Sequence, residues 1–238
     1  MKILLTGGTG SLGSELKIFF PDCLCPTSDK LDIKNKEDVL TFFQNNDIDI
    51  VIHTAAITSV RFCEENKLLA WKTNVDGTRN IVNAILKSKN NIKLIYVSTA
   101  CIFDGHSSMY KENDIPYPEN FYALTKLIGE HEISRLNNYL IIRTNFVAKK
   151  PWPYPKAFTD RFGTYLFAEN VAFGIKEIVD SNVDGVIHRV GDKKLSMFDL
   201  AKITTPLIEP MTINDYHGPR LTMDMSLDTE KWKKYTLK

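Results

Sequence analysis

Residues 6–13 read TGGTGSLG. They follow the short apolar run KILLT (2–6) and open an amphipathic stretch at 11–20. Strand, glycine loop and helix in that order predict the first β–α unit of a dinucleotide-binding fold. Gly8-x-Gly10-x-x-Gly13 matches the usual fingerprint, and Gly7-x-x-Gly10-x-x-Gly13 matches a variant spacing. Glycine is needed for three reasons: a tight turn, close approach of the backbone to a pyrophosphate, and close packing of helix on strand. The first N–H groups of the helix then face the phosphates. Gly7, Gly10, Ser11, Leu12 and Gly13 are the candidate contacts.

The same rhythm continues outward from this unit. CLCPT (23–27), DIVIHTA (49–55), KLIYVST (93–99) and YLIIRTN (139–145) read as further strands. They are rich in Ile, Leu and Val without in–out alternation, as in strands covered on both faces. Helices are predicted at 36–46, with Asn35 as N-cap, at 64–90 and at 121–137. The predicted class is α/β: a Rossmann-type, doubly wound parallel sheet with right-handed crossovers. After residue 147 the rhythm changes. AKKPWPYPKAF (148–158) reads as loop or irregular strand. A helix at 169–181, a strand at 185–191 and a helix at 196–208 follow, the last capped by Ser196. We therefore divide the chain into an NAD(P)-binding domain, 1–147, and a small C-terminal α+β substrate lobe, 148–238, whose segments can interleave.

Bulk properties exclude several classes. The 238 residues carry a net charge of +1, so no polyanion-binding surface and no nucleic-acid partner is expected. No apolar run approaches the ~18 residues of a membrane span. The N-terminus lacks the long apolar region of a signal peptide, and a cytoplasmic location is expected. The four cysteines and five histidines show no metal-ligand or redox spacing, so no metal site is expected.

Cofactor choice turns on the loop after CLCPT. Asp29 would suit the ribose of NAD, whereas Thr27, Ser28 and Lys30 would suit the extra phosphate of NADP. NADP(H) is favoured and NAD(H) stays open. Asp32 and Ile33 are candidates to line the adenine. Tyr122 and Lys126 lie four apart on a predicted helix and project from one face. A neighbouring ammonium lowers the pKa of a phenol, so the two form a candidate proton-transfer pair.

TGGTGSLG, HTAA (53–56), NVDGT (74–78), VST (97–99) and YALTK (122–126) occur in that order. Their spacing resembles the extended short-chain dehydrogenase/reductase family. AAITSV (55–60), YPENFYALTKLIGE (117–130), IIRTN (141–145) and PRLTMDMSLDTEKW (219–232) resemble its dTDP-4-dehydrorhamnose reductase branch. The resemblance implies reduction of the C4 ketone of a nucleotide-linked 4-keto-6-deoxy sugar by NAD(P)H, in surface polysaccharide synthesis. It implies that Tyr122 supplies the proton, that Lys126 holds the nicotinamide ribose, and that Thr99 bonds the substrate carbonyl. Ala55, Ala56 and Ile57 would lie along the cofactor. It also makes a homodimer possible, through the helices at 64–90 and 121–137.

Several positions leave the branch's pattern. Ala100-Cys101 stands where Asp-Tyr is usual, Arg143-Thr144-Asn145-Phe146 where Arg-Thr-Ser-Trp is usual, and Val60-Arg61 where Val-Asp is usual. Val60, Ala100, Cys101, Asn145 and Trp152 are thus candidate substrate contacts whose preference is open. Trp152 could stack on a base or sugar, or fill a seam between lobes. A nucleotide-sugar epimerase or dehydratase, or a cofactor-binding regulatory subunit without catalysis, are the alternatives. A dehydratase would usually carry an acidic pair after the Ser/Thr, which Ala100-Cys101 lacks. Cys101 itself has no fixed histidine partner and is expected to be a wall residue rather than a nucleophile.

Overall fold

A computed structural model describes residues 1–237. The first half runs β1 (Ile3–Thr6), α1 (Ser11–Phe19), α2 (Lys36–Asn45), β2 (Ile50–His53), α3 (Val60–Glu65), α4 (Lys67–Trp71), α5 (Gly77–Lys87), β3 (Lys93–Thr99), α6 (Phe121–Ile133) and β4 (Tyr139–Thr144). The second half adds β5 (Phe146–Val147), β6 (Lys156–Phe158), β7 (Phe162–Gly163), β8 (Leu166–Phe167), α7 (Ala168–Val179), β9 (Gly185–Arg189), β10 (Leu195–Ser196), α8 (Met197–Thr204), β11 (Glu209–Met211) and β12 (Asp224–Met225).

The main sheet has the order β1-β2-β3-β4-β9 and is parallel throughout. Apolar side chains leave both faces. Ile3, Leu5, Ile52, Ile95 and Ile142 pack under α1 and α7, while Leu4, Val51, Leu94 and Ile141 pack under α2, α5 and the end of α6. Two-sided cover explains why the strands show no polar alternation. Helix starts are fixed by side chains: Asn35 accepts from the N–H of Glu37 and Asp38, Asn120 from Ala123, and Ser196 from Asp199.

The predicted strand at 23–27 is reduced to one residue. Leu24 bridges to Leu4, its N–H and carbonyl bonding Ile3 and Leu5 at 2.8 Å each. The segment lies at the sheet edge beside β1, and Pro26 has no N–H to extend the ladder. Its position still defines the topology. From β1 the chain runs to one side, to Leu24, and then crosses to β2 on the other. The crevice above β1 and β2 is therefore the switch point at which ligands bind in such sheets.

The predicted helix at 64–90 is also corrected. It starts earlier, at Val60, breaks at Asn66 and passes through a π-helical turn at Lys72–Asp76 before α5. The predicted helix at 196–208 stops at Thr204. The loop predicted at 148–158 ends in β6, which pairs with β11. The chain from Phe146 onward both completes the main sheet, through α7 and β9, and builds three small sheets.

Candidate functional site

The glycine loop connects β1 to α1 at the switch point. Gly7 has φ +77°, and a Cβ there would lie 2.6 Å from the Ala55 nitrogen and 2.7 Å from Thr54 Oγ1. At Gly13 a Cβ would meet the Gly7 carbonyl oxygen at 2.2 Å and Gly8 Cα at 2.6 Å. Gly8 is closed in by Cys25 Sγ, 1.9 Å from where its Cβ would be. Gly10 is less constrained, with only the Gly7 oxygen at 3.3 Å. Positions 7 and 13 thus require glycine on steric grounds. Helix α1 begins at Ser11 with no side-chain cap and no acid in its first turn. The N–H groups of Ser11, Leu12 and Gly13 have no intrahelical partner there, and a helix start of this kind suits a pyrophosphate. The residues present fit a dinucleotide.

The segment after β2 forms the other wall. Thr54 Oγ1 donates to the Thr6 carbonyl at 2.7 Å, which holds Ala55 against Gly7. Ala56 follows, half-buried. The backbone of Ile57 is clamped by Asn74, whose Oδ1 accepts from Ile57 N–H at 2.8 Å and whose Nδ2 donates to Ile57 O at 2.9 Å. Asn74 also donates to Thr125 Oγ1 at 2.9 Å, tying this wall to α6. It sits inside the π-helical turn, a feature that often marks functional positions. The motif NVDGT contains Asn74, but nothing in its spacing distinguishes that residue from its neighbours.

The adenine end is less closed. Asp32 accepts from Lys34 N–H at 3.0 Å and from its Nζ at 2.8 Å. Ile33 is buried in the core, its side chain filling the space that Gly77 leaves. Thr27, Ser28, Asp29 and Lys30 are all exposed just past Leu24.

The proton-transfer candidates meet at the carboxyl end of β3. Asn120 starts α6 so that Tyr122, Lys126 and Glu130 all turn inward. Thr99, Tyr122 and Lys126 are buried. Burial pushes the Tyr122 phenol well above its usual range, and a hydrogen bond from the Thr99 side chain opposes that rise. Thr99 Oγ1 also accepts from Cys101 N–H at 3.2 Å. Lys126 Nζ donates to the Val97 carbonyl at 2.8 Å and lies 3.9 Å from the centre of the Tyr96 ring. The expected lowering of the phenol by Lys126 is therefore not what this geometry gives. The ammonium is held by Val97 and Tyr96, and the phenol keeps its proton through neutral pH.

Burial pulls Lys126 down to about 7, against the pull of the Glu130 carboxylate. Between about pH 7 and its ordinary 10.5 the unfolded chain binds the proton more tightly than the folded one. Stability carried by this group rises with pH across that window, and below it the full penalty for charging Lys126 applies. Lys126→Met should remove that slope. Urea midpoints of wild type and variant between pH 6.5 and 9.5 check this, and parallel profiles would refute it.

Beneath these residues lies a buried polar network. Arg143 Nη2 donates to Glu130 at 2.8 Å and its Nη1 to the Glu112 carbonyl at 3.2 Å, while Ser98 Oγ donates to Glu130 at 2.5 Å. Glu112 in turn accepts from Thr229 at 2.6 Å and from His188 N–H at 3.1 Å. Arg143 and Glu130 are paired, and the Glu112 carboxylate is held by hydrogen bonds from Thr229 and from the His188 and Glu230 N–H groups, so that each buried charge is satisfied. The network fixes Ser98, and so its neighbour Thr99, to α6 and to the C-terminal segment.

The candidate substrate wall is mixed. Ala100 and Cys101 are buried in one cluster with Tyr122, and Val60 packs against it from the start of α3. Asn145 is half-buried, its Nδ2 donating to the Met225 carbonyl at 3.2 Å. Trp152 packs between that cluster and a smaller one around Ala157 and Ile208, with its indole N–H on the Lys156 carbonyl at 3.2 Å. Cys63 and Cys101 are buried, Cys23 and Cys25 half-buried, and all four are free thiols. No group of His, Cys, Asp and Glu that could hold a metal ion occurs among the described residues. Nor is any helix among them long and apolar enough to cross a membrane.

The family model described as "RmlD substrate binding domain" matches residues 1–159. The chain belongs to the RmlD family. Among its relatives, a probable low-salt glycan biosynthesis reductase of Haloferax volcanii is 31% identical over 75% of this chain and 65% of its own. A dTDP-4-dehydrorhamnose reductase of Aggregatibacter actinomycetemcomitans is 27% identical over 90% of this chain and 86% of its own. A solved dTDP-4-dehydrorhamnose reductase of Clostridium acetobutylicum superposes with a TM-score of 0.87 at 27% identity, covering 95% of this chain and 90% of that one. This RmlD-family chain thus has the mixed α/β architecture and parallel sheet of these reductases over nearly its whole length.

Proposed function

We propose that this RmlD-family protein reduces the C4 ketone of a nucleotide-linked 4-keto-6-deoxy sugar, as its reductase relatives' names suggest. The observation that carries the reading is the buried Thr99–Tyr122 pair at the carboxyl end of β3, with Lys126 one helical turn away. NADPH is the favoured cofactor, with NADH possible, and when bound it supplies the hydride. Gly7, Gly10 and the start of α1 would hold its pyrophosphate, and Ala55 to Ile57 would line its length. Ile33 supports this region from the core, while Asp32 stands nearer the adenine. Thr99 orients the ketone, and Tyr122 donates its proton to the oxygen as negative charge develops there. Lys126 is placed to hold the cofactor's ribose hydroxyls.

Purified protein is incubated with NADPH or NADH and a panel of dTDP-, GDP-, UDP- and CDP-linked 4-keto-6-deoxy sugars. Stoichiometric loss of nicotinamide absorbance with one of them is the expected result. Sugar conversion without net oxidation would instead establish an epimerase. The four free thiols fit a reducing, cytoplasmic setting. Self-association belongs to the same proposal, supported by Leu68 and Leu69 exposed on α4. Light scattering that gives only the 27.1 kDa monomer would remove it.

A further inference from the structure

Two unmet polar groups lie around Met225, in the wall next to Cys101. The first is Arg161, between β6 and β7, which is 9% exposed. Its Nε donates to the Thr222 carbonyl at 2.8 Å. Its terminal nitrogens donate only to thioethers, Met197 Sδ and Met225 Sδ, at 3.3 Å each, and the guanidinium lies 6.0 Å from the centre of the Phe158 ring. Among the described residues no carboxylate lies within 4.0 Å of it. The acid beside it in sequence and the one on the neighbouring strand are engaged elsewhere: Asp160 accepts from Ile213 N–H at 2.9 Å, and Asp224, paired in register with Phe162, is bonded to Lys194. Thioether sulfur is a weak acceptor, and a buried guanidinium facing it lacks a counter-charge.

The second group is Tyr165, 2% exposed, whose hydroxyl has no hydrogen-bond partner. Its phenol end stands over Gly163 beside Asn145: a Cβ at Gly163 would lie 2.7 Å from Tyr165 Cζ and 2.9 Å from Asn145 Nδ2. Burial raises this phenol above its usual range, the charge of Arg161 opposes the rise, and Cys101 and the Asp224 carboxylate add to it. Met225 joins the parts, receiving the Cys101 thiol on Sδ at 3.3 Å, Arg161 on the same sulfur, and Asn145 on its carbonyl. Tyr165, Cys101 and Tyr122 share one cluster. Ala100 and Cys101 add no carboxylate to this wall.

A cation without an anion and a donor without an acceptor have one common remedy, an anionic oxygen brought by a ligand. We infer that Arg161 and Tyr165 form an anionic-oxygen subsite of the substrate pocket, receiving a phosphate or carboxylate oxygen of the sugar nucleotide. The inference rests on the sugar-nucleotide reading of the site. It makes the two residues determinants of which substrate is accepted, with no part in the proton transfer.

Binding of UDP-glucose, UDP-glucuronate and dTDP-glucose, measured by calorimetry in the presence of NADPH, tests it without requiring turnover. Arg161→Gln should weaken binding by tenfold or more. Loss with all three ligands identifies the diphosphate as the source of the oxygen, and loss confined to UDP-glucuronate identifies the sugar carboxylate. Tyr165→Phe removes a single oxygen and an unmet hydroxyl. It should weaken the same ligands about tenfold while leaving the thermal midpoint as high as wild type or higher. A merely structural tyrosine would shift the midpoint and leave affinity alone. If Arg161→Gln does not fold, Tyr165→Phe decides. Wild-type affinity for all three ligands in the folded variants overturns the subsite, even where the wild type reduces a 4-keto sugar. A wild type that binds none of them overturns the reading on which the subsite rests.

Discussion

Tyr122→Phe should lower kcat for the 4-keto sugar by about 10³-fold, within the ~10²–10⁴ that a positioned proton donor contributes. The substitution removes one oxygen from a buried ring and leaves the ring's packing beside Cys63, Ala100 and Cys101 in place. Stability should change little. Affinity for NADPH should stay within about twofold, because the phosphate cradle at Gly7 and Gly13 lies on other elements. The phenol is suited to give a proton rather than take one, since burial raises its pKa and keeps it protonated at neutral pH. The reduction needs that direction of transfer. Steady-state kinetics beside a cofactor titration make the check. A variant with more than a tenth of wild-type kcat would place the proton donor elsewhere.

Gly13→Ala should abolish useful cofactor binding, raising the NADPH dissociation constant more than 100-fold. The new Cβ would stand 2.2 Å from the Gly7 oxygen and 2.6 Å from Gly8 Cα, both backbone atoms with no side chain to swing aside. The loop and the start of α1 must separate, and the N–H groups that face the phosphates separate with them. Gly10→Ala is the matched comparison. Its Cβ meets only the Gly7 oxygen, at 3.3 Å, and Gly10 has φ −73°, open to any residue. That variant should lose less than about fivefold. Fluorescence titration with NADPH measures both, with thermal melts to establish that each folds. Equal losses in the two variants would mean that close packing at position 13 is not what shapes the cradle.

Much of the framework could be read without coordinates, for reasons that are local. Asn35 and Ser196 cap helices because their side chains reach N–H groups two or three residues on, an interaction written in adjacent residues. Tyr122 and Lys126 share a face because a helix repeats every 3.6 residues. Where reading failed, the deciding partners were distant in sequence. CLCPT has strand composition but lies at an edge beside β1, with Pro26 breaking the ladder. The break at Asn66 and the π-helical turn interrupt a run that is amphipathic throughout, and the turn serves Asn74, whose partners Ile57 and Thr125 come from other elements.

The same division holds at the site. Sequence alone determined the alternation of strand and helix, the glycines that the first turn requires, and the spacing of Thr99, Tyr122 and Lys126, because each follows from short-range geometry. Only the tertiary structure decided the electrical state of these groups. Burial leaves Tyr122 protonated, and it engages Lys126 with Val97 and Tyr96 rather than with the phenol. Glu130 and Arg143 meet across thirteen residues, Arg161 and Met225 across 64, and Cys101 and Met225 across 124. Charge and solvation depend on everything within a few ångströms, and chain order does not specify which residues those are.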